Sequence, residues 1–378
     1  MAGKRIKGSH SSEIHEEAVR EATLLGSVTH AGEERARQGR GLDPLVDPKE
    51  YGVVRRALNL LVPEEDHFVL EVGIAMPVKS DLDTTGSMGG NVELAFHALP
   101  RVQNLLVQGA RAMLGRYHVQ IATGAVQDRR DMFPYQISQF EPDNEIERQM
   151  TLLDPERDGK DATEDYQLGL FSTAYLTETS IQKYGLKGYY FPVGDERGRD
   201  YLDADLLIQV FGPTVFEKAF GSLTRPQELP STDDVAKKVL ENWHGFFFQV
   251  GDHRHTTHWW TQILGRERVI ILPRTEDLAE VQAVVIGLTD GVLDFQSALE
   301  FLVQDARVTK AHAQQIIRAV ANIPMGAQRR LGNFNHIPMK GAKFASRDDV
   351  WPIGVSVEGT LPFVMPSEPA TDEINWKL

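Results

Sequence analysis

From about residue 52 to residue 290, short apolar runs rich in β-branched and aromatic residues alternate with stretches of helical periodicity. The runs at 68–73 with 77–82, 118–125, 135–140, 187–193, 246–250 and 269–272 predict strands. Between them, 92–114, 144–153, 163–175, 232–243, 257–264 and 276–288 predict helices. The helix at 232 opens Ser231-Thr232-Asp233-Asp234, good N-cap chemistry with acid in the first turn. Strand–helix alternation over this span predicts an α/β fold: a doubly wound, mostly parallel sheet with helices on both faces. Ligands of such sheets sit at the carboxyl ends of the strands, so function is sought in the loop after each strand. Beyond Gly291 the strands stop, and 293–306 and 310–322 predict a C-terminal helical pair, with Thr309 as the N-cap of the second. The expected division is a charged arm over 1–50 with helical stretches at 12–25 and 31–37, an α/β domain over 51–291, the helical extension over 292–331, and an extended tail over 332–378.

Composition narrows the function. Of 378 residues, 41% are hydrophobic and 25% charged, enough for a sizeable core and against wholesale disorder. The 40 basic residues against 54 acidic ones leave a net charge of -14, which repels phosphate backbones and argues against nucleic-acid binding. No apolar run approaches the roughly 18 residues of a membrane helix, and the basic N-terminus lacks the apolar stretch of a secretory signal. Cysteine is absent, which excludes disulfides and thiolate chemistry and fits the expected location, the cytoplasm.

Candidate chemistry concentrates in residues 80–91. Asp83, Thr85 and Ser87 alternate, so in an extended loop their oxygens share one side. One carboxylate and two hydroxyls form a hard-oxygen set suited to Mg²⁺ or Mn²⁺. Gly86, Gly89 and Gly90 let the backbone turn close to an ion. The same residues also read as a plain Ser/Thr/Gly turn that caps a helix through Ser87 or Asn91. No GxxxxGK[ST] is present, so this is not a Walker A loop.

Asp83-Thr84-Thr85-Gly86-Ser87-Met88 resembles the DxTGSM form of the metal-ion-dependent adhesion site of von Willebrand factor A (VWA) domains. Asp158-Gly159-Lys160-Asp161-Ala162-Thr163-Glu164-Asp165-Tyr166 is similar to the family's second loop, and Tyr189-Tyr190-Phe191-Pro192-Val193-Gly194-Asp195-Glu196 to its third strand and loop. The resemblance spans roughly 65–290. It implies that Ser87 and a second-loop hydroxyl ligate the metal, that Thr85 is the other first-loop hydroxyl, and that Asp83 and Asp195 hold the ion directly or through water. For the second loop it implies Thr163, with Asp161 as the alternative. One coordination position is left for an acidic side chain of a partner protein. Such domains bind rather than catalyse, and bacterial cytosolic members often act beside an AAA+ ATPase of the MoxR kind. The sequence departs from the pattern at Val78-Lys79-Ser80-Asp81, which is too polar for a buried parallel strand; Asp81 either adds a carboxylate at the ion or faces away.

A rival reading uses the same loop. Asp81-Leu82-Asp83-Thr84-Thr85 resembles the DxDxT of haloacid-dehalogenase-like phosphotransferases, which implies Asp81 as nucleophile, Asp83 as acid/base and Mg²⁺ as charge screen. Thr123, Lys183 or Lys187, and the acidic stretch from Gly194 to Asp200 supply the remaining parts. A third reading keeps the domain as scaffold only, its loop hydroxyls merely capping helices. His253, His255 and His258, with Asp252, are a conceivable zinc set, read more simply as a polar loop entering a helix at the rim of the main site. The pairs Arg129-Arg130 and Arg329-Arg330 read as solvated surface.

Overall fold

The computed structural model describes residues 30–50, 55–108, 112–143, 145–156, 163–331 and 336–353. At its centre lie β1 (Ala75–Asp83), β2 (His118–Val126), β3 (Tyr135–Ile137), β4 (Gly188–Gly194), β5 (Trp243–Gly245), β6 (Phe247–Gln249) and β7 (Val269–Ile271) in one sheet. The spatial order is β7-β6-β4-β1-β2-β3, with β5 also paired to β4. All pairings are parallel except β2 with β3. β5 and β6 are two halves of one line along β4, joined where the Phe246 N–H donates to the Tyr190 carbonyl. From β1 the chain moves outward one way to β2 and β3, then returns to β4 and moves outward the other way. The order therefore reverses between β1 and β4, and the crevice at their carboxyl ends is where such a sheet takes a ligand.

Helices α1 (Asn91–Ala98), α2 (Arg101–Val107), α3 (Tyr166–Tyr175), α4 (Ala204–Phe211), α5 (Thr232–Asn242), α6 (Arg254–Leu264) and α7 (Leu278–Asp290) cover both faces. All nine residues of β1 are buried, and alternate ones meet different layers. Met76, Val78 and Leu82 join the larger core with α1, α2 and α7, while Ala75 belongs to the second core with α3 to α6. Lys79, Asp81 and Asp83 share the Ala75 side by the same alternation. The expected doubly wound fold with two helical layers is the one observed. The C-terminal extension is α8 (Phe295–Gln304) and α9 (Lys310–Ala319), whose Phe301, Leu302, Ala313 and Ile316 enter the larger core. Among the described residues, no helix is long and apolar enough to cross a membrane.

Four differences from the sequence expectation have local causes. The single helix expected over 92–114 is divided into α1 and α2 at Leu99-Pro100, because proline brings no N–H to continue a helix. Helix α4 and the short helix Val215–Phe220 after it were not expected; Asp203 caps α4 by accepting from the N–H groups of Asp205 and Leu206 at 3.0 and 3.2 Å. Phe68–Leu70 is outside the central sheet, in a small antiparallel one with Leu61–Pro63 and Lys343–Phe344, so part of the expected tail returns to the domain. The expected helix at 12–25 lies outside the described residues.

The fourth concerns residues 30–50, expected in an arm outside the core. They hold the helix Ala31–Arg37 and then run along β3. Val46 is buried in the larger core, and its carbonyl accepts the Ile137 N–H at 3.0 Å. The buried Arg55 guanidinium donates to the carbonyls of Asp47, Glu50 and Ile137 at 2.8, 3.2 and 3.3 Å. Polar composition here marks a segment that supplies hydrogen bonds to the sheet rather than one that leaves it.

Candidate functional site

The first loop begins at the reversal point. Asp83, the last residue of β1, is buried, and its Oδ1 accepts from the Thr85 N–H at 2.9 Å and from Thr85 Oγ1 at 2.6 Å. Its Oδ2 accepts from the Tyr166 hydroxyl at 2.6 Å. The short turn Gly86–Met88 brings Ser87 Oγ to 3.2 Å from Thr85 Oγ1, and Ser87 Oγ donates to Asp195 Oδ1 at 2.9 Å. Asp195 directly follows β4, and its carbonyl accepts from Thr256 Oγ1 of α6 at 2.9 Å. The structure thus brings Asp83, Thr85, Ser87 and Asp195 into one hydrogen-bonded group across the ends of β1 and β4.

This closeness needs a glycine at position 194. A Cβ there would lie 1.7 Å from the Tyr166 hydroxyl and 2.8 Å from Asp83 Cβ. Gly194→Ala is expected to destabilise the protein by at least about 2 kcal/mol, since neither neighbour can withdraw without breaking the Tyr166–Asp83 bond. Urea denaturation checks this; an unchanged midpoint would show that the contact relaxes freely.

The second loop contributes differently from the expectation. Thr163 makes no hydrogen bond to the group and lines a neighbouring cleft instead. Asp161 lies outside the described residues. The residue that joins the group is Glu164, 1% exposed, whose Oε2 has no hydrogen-bond partner. Its N–H donates to the Arg197 carbonyl at 3.1 Å, which pins the second loop to the third. Asp165 turns the other way and accepts from Arg129 and Arg199 at 3.1 and 3.0 Å.

Electrostatics mark the group as short of positive charge. Burial pushes Asp83 up to about 6, against the bonds from Thr85 and Tyr166 that lower it. Burial, then the charge on Asp83, pushes Asp195 up to about 8. Burial, then the charges on Asp83, Asp128, Asp165 and Asp195, pushes Glu164 up to about 10. Carboxylates so arranged take up protons or a cation. Among the described residues, no three histidine or carboxylate side chains suffice alone to hold a metal ion. The set here combines carboxylates with the hydroxyls of Thr85 and Ser87, all hard oxygen donors of the kind Mg²⁺ and Mn²⁺ prefer.

No protein-family model matches the chain, and no curated protein matches it. Solved structures do. The pilus adhesin SpaC from Lactobacillus rhamnosus GG, in its open conformation, is 13% identical over 61% of this chain and 34% of its own, with a TM-score of 0.38. Proximal thread matrix protein 1 from the mussel byssus is 12% identical over 57% of this chain and 47% of its own, at 0.36. The human COPII-coat protein Sec24c is 8% identical over 57% and 32%, at 0.32. This chain spans about a third of the adhesin and under half of the matrix protein.

Asp81 belongs to the interior, not to the site. It is fully buried on the α3 side of β1, where it accepts from the hydroxyls of Tyr135 and Tyr190 at 3.1 and 2.8 Å and lies 3.2 Å from Lys79 Nζ. A nucleophile must reach phosphorus, and this carboxylate is enclosed. Lys183 and Lys187 bond the carbonyls of Asp349 and Leu240, on the far segments of the fold.

His255 is exposed, and its Nε2 lies 3.1 Å from Glu196 Oε2, next to Asp195. His253 occupies the N-cap position of α6, with its ring 6.3 Å from that of His255. Trp259 and Trp260 anchor the helix by donating to Asp200 Oδ1 and the Glu196 carbonyl at 2.7 and 3.2 Å.

Proposed function

We propose that this chain is a metal-ion-dependent protein-interaction module of the VWA kind. Mg²⁺ or Mn²⁺ would be held by Ser87, Thr85, Asp83 and Asp195, with Glu164 in the role first given to Thr163. The observation that carries this reading is the unpartnered, buried Oε2 of Glu164 beside two carboxylates whose charges disfavour one another. An orphaned buried acceptor is costly unless a ligand satisfies it, and a hard cation at the reversal point does so. The ion supplies a Lewis-acid point to which a carboxylate of a partner protein binds. The module binds rather than catalyses. The resemblance adds an AAA+ ATPase of the MoxR kind as a partner and the cytoplasm as the place of action.

Calorimetric titration of the whole chain with Mn²⁺ tests the reading. Ser87→Ala and Asp195→Ala are each expected to weaken Mn²⁺ binding by at least about tenfold. Binding that is absent from the wild type, or untouched by both substitutions, would end it.

A further inference from the structure

A cleft of about 1060 Å³ opens beside the proposed metal site, walled by the third loop, residues 225–231 and the start of α5. Thr163 and Arg197 line it, and the hydrogen bond between the Glu164 N–H and the Arg197 carbonyl forms the partition between cleft and site. The two spaces therefore lie on either side of one backbone contact.

The charges along the cleft are mostly committed. Arg129 is 3.1 Å from Asp165 and 3.5 Å from Asp203, Arg199 bonds Asp165 and Asp128, and Arg225 is 2.8 Å from Asp205. Asp200 accepts from Trp259, Asp203 caps α4, and Asp234 closes the capping box of α5. Arg197 and Glu228 differ: among the described residues neither side chain has a hydrogen bond or ion pair, and of the two Arg197 is the one on the third loop beside Asp195. It lies two residues past Asp195, half-buried at the boundary of the two spaces. A guanidinium uncommitted to any described residue has a use in that place. Asp83, Glu164 and Asp195 together outweigh a divalent cation by one charge, so a second carboxylate beside the site needs a positive partner of its own.

We infer that the cleft is the second half of the binding site, and that its occupant is an acidic peptide segment of a partner protein, one carboxylate completing the metal shell and a second paired with Arg197. This rests on the metal-dependent reading above. Planar guanidinium matches carboxylate in two parallel hydrogen bonds, and Arg197 can form them without giving up a partner among the described residues.

The probes are fluorescein-labelled glycine hexapeptides carrying one aspartate, or two aspartates separated by one to three glycines, titrated with the whole chain in Mg²⁺ and followed by fluorescence polarisation. The best two-aspartate peptide is expected to bind about five- to tenfold tighter than the one-aspartate peptide. Arg197→Ala should remove that advantage and leave the one-aspartate affinity and the thermal melt unchanged. Arg197→Glu should transfer the preference to a peptide with lysine at the second position. Equal binding of one- and two-aspartate peptides, or an advantage that survives Arg197→Ala, overturns the inference alone. If no peptide shows binding that is lost with EDTA or Ser87→Ala, the metal-dependent reading falls and this inference with it.

Discussion

Replacing Lys79 by methionine is expected to destabilise the protein by about 3–5 kcal/mol, the usual result of leaving one member of a buried ion pair alone. Lys79 is 1% exposed and Asp81 fully buried, 3.2 Å apart in the layer between β1 and α3. The ammonium donates to Thr173 Oγ1 at 2.6 Å and to the Gly169 carbonyl at 3.3 Å, and sits 5.1 Å from the centre of the Tyr190 ring. Burial lowers its basicity, and the charge of Asp81 works against that. Without the ammonium, Asp81 keeps only its two tyrosine hydroxyls. The double variant Lys79→Met/Asp81→Asn is expected to recover at least about 2 kcal/mol of the loss, because the amide still accepts from a tyrosine and carries no charge. Urea unfolding of the four proteins closes the cycle. A cost below about 1 kcal/mol for Lys79→Met would mean that the pair does little to fasten α3 to the sheet.

This pair explains a limit of reading the sequence. Lys79 and Asp81 made β1 look too polar for a buried strand, and only the tyrosines of β3 and β4 and the glycines at 124 and 169 show how the charges are housed. β2 and β4 were legible because nearly all their residues are apolar or small and pack on both faces. The sequence placed Asp83 and Asp195 at strand ends and Thr85 and Ser87 in the loop that follows, and the turn Gly86–Met88, rather than strand alternation, brings Ser87 to Thr85 and Asp195. Glu164 was not legible. A glutamate beside an aspartate in a polar loop carries no mark of burial, and the backbone bond to Arg197 that turns it inward joins residues 33 apart in sequence. The cleft was equally hidden, since it depends on α4 and the loop before α5 folding against the third loop.

Metal-free protein is expected to be more stable near pH 5 than near pH 8, and saturating Mg²⁺ to reverse the order. Asp83, Asp195 and Glu164 are raised to about 6, 8 and 10 in the fold. An acid raised on folding binds its proton more tightly in the native state. Its contribution to stability is complete below its ordinary value near 4 and is lost as the pH climbs through the folded value. Across this window Asp83 and then Asp195 lose their protons into mutual repulsion, while Glu164 keeps its proton in the fold and gives it up only on unfolding. Mg²⁺ at about a hundred times its dissociation constant adds about 2.7 kcal/mol near pH 8, and less near pH 5, where protons compete for the same oxygens. Glu164→Gln should melt higher than the wild type in EDTA at pH 8 and gain less from Mg²⁺. Thermal melts in EDTA and in Mg²⁺ across this range check all three statements. An EDTA profile that rises toward pH 8 as steeply in the wild type as in Glu164→Gln would remove the basis for the prediction.

The run of residues 43–50 along β3 has a consequence for self-association. An edge strand with vacant N–H and C=O groups is a template on which another extended chain can add, the first step toward aggregation. Here both outward groups of Ile137 are taken, by the Val46 carbonyl and by Arg55, whose guanidinium is itself tied to the carbonyls of Asp47 and Glu50. A fragment cut at residue 51, where the composition changes, would leave the sheet apparently whole and its edge open to copies of itself.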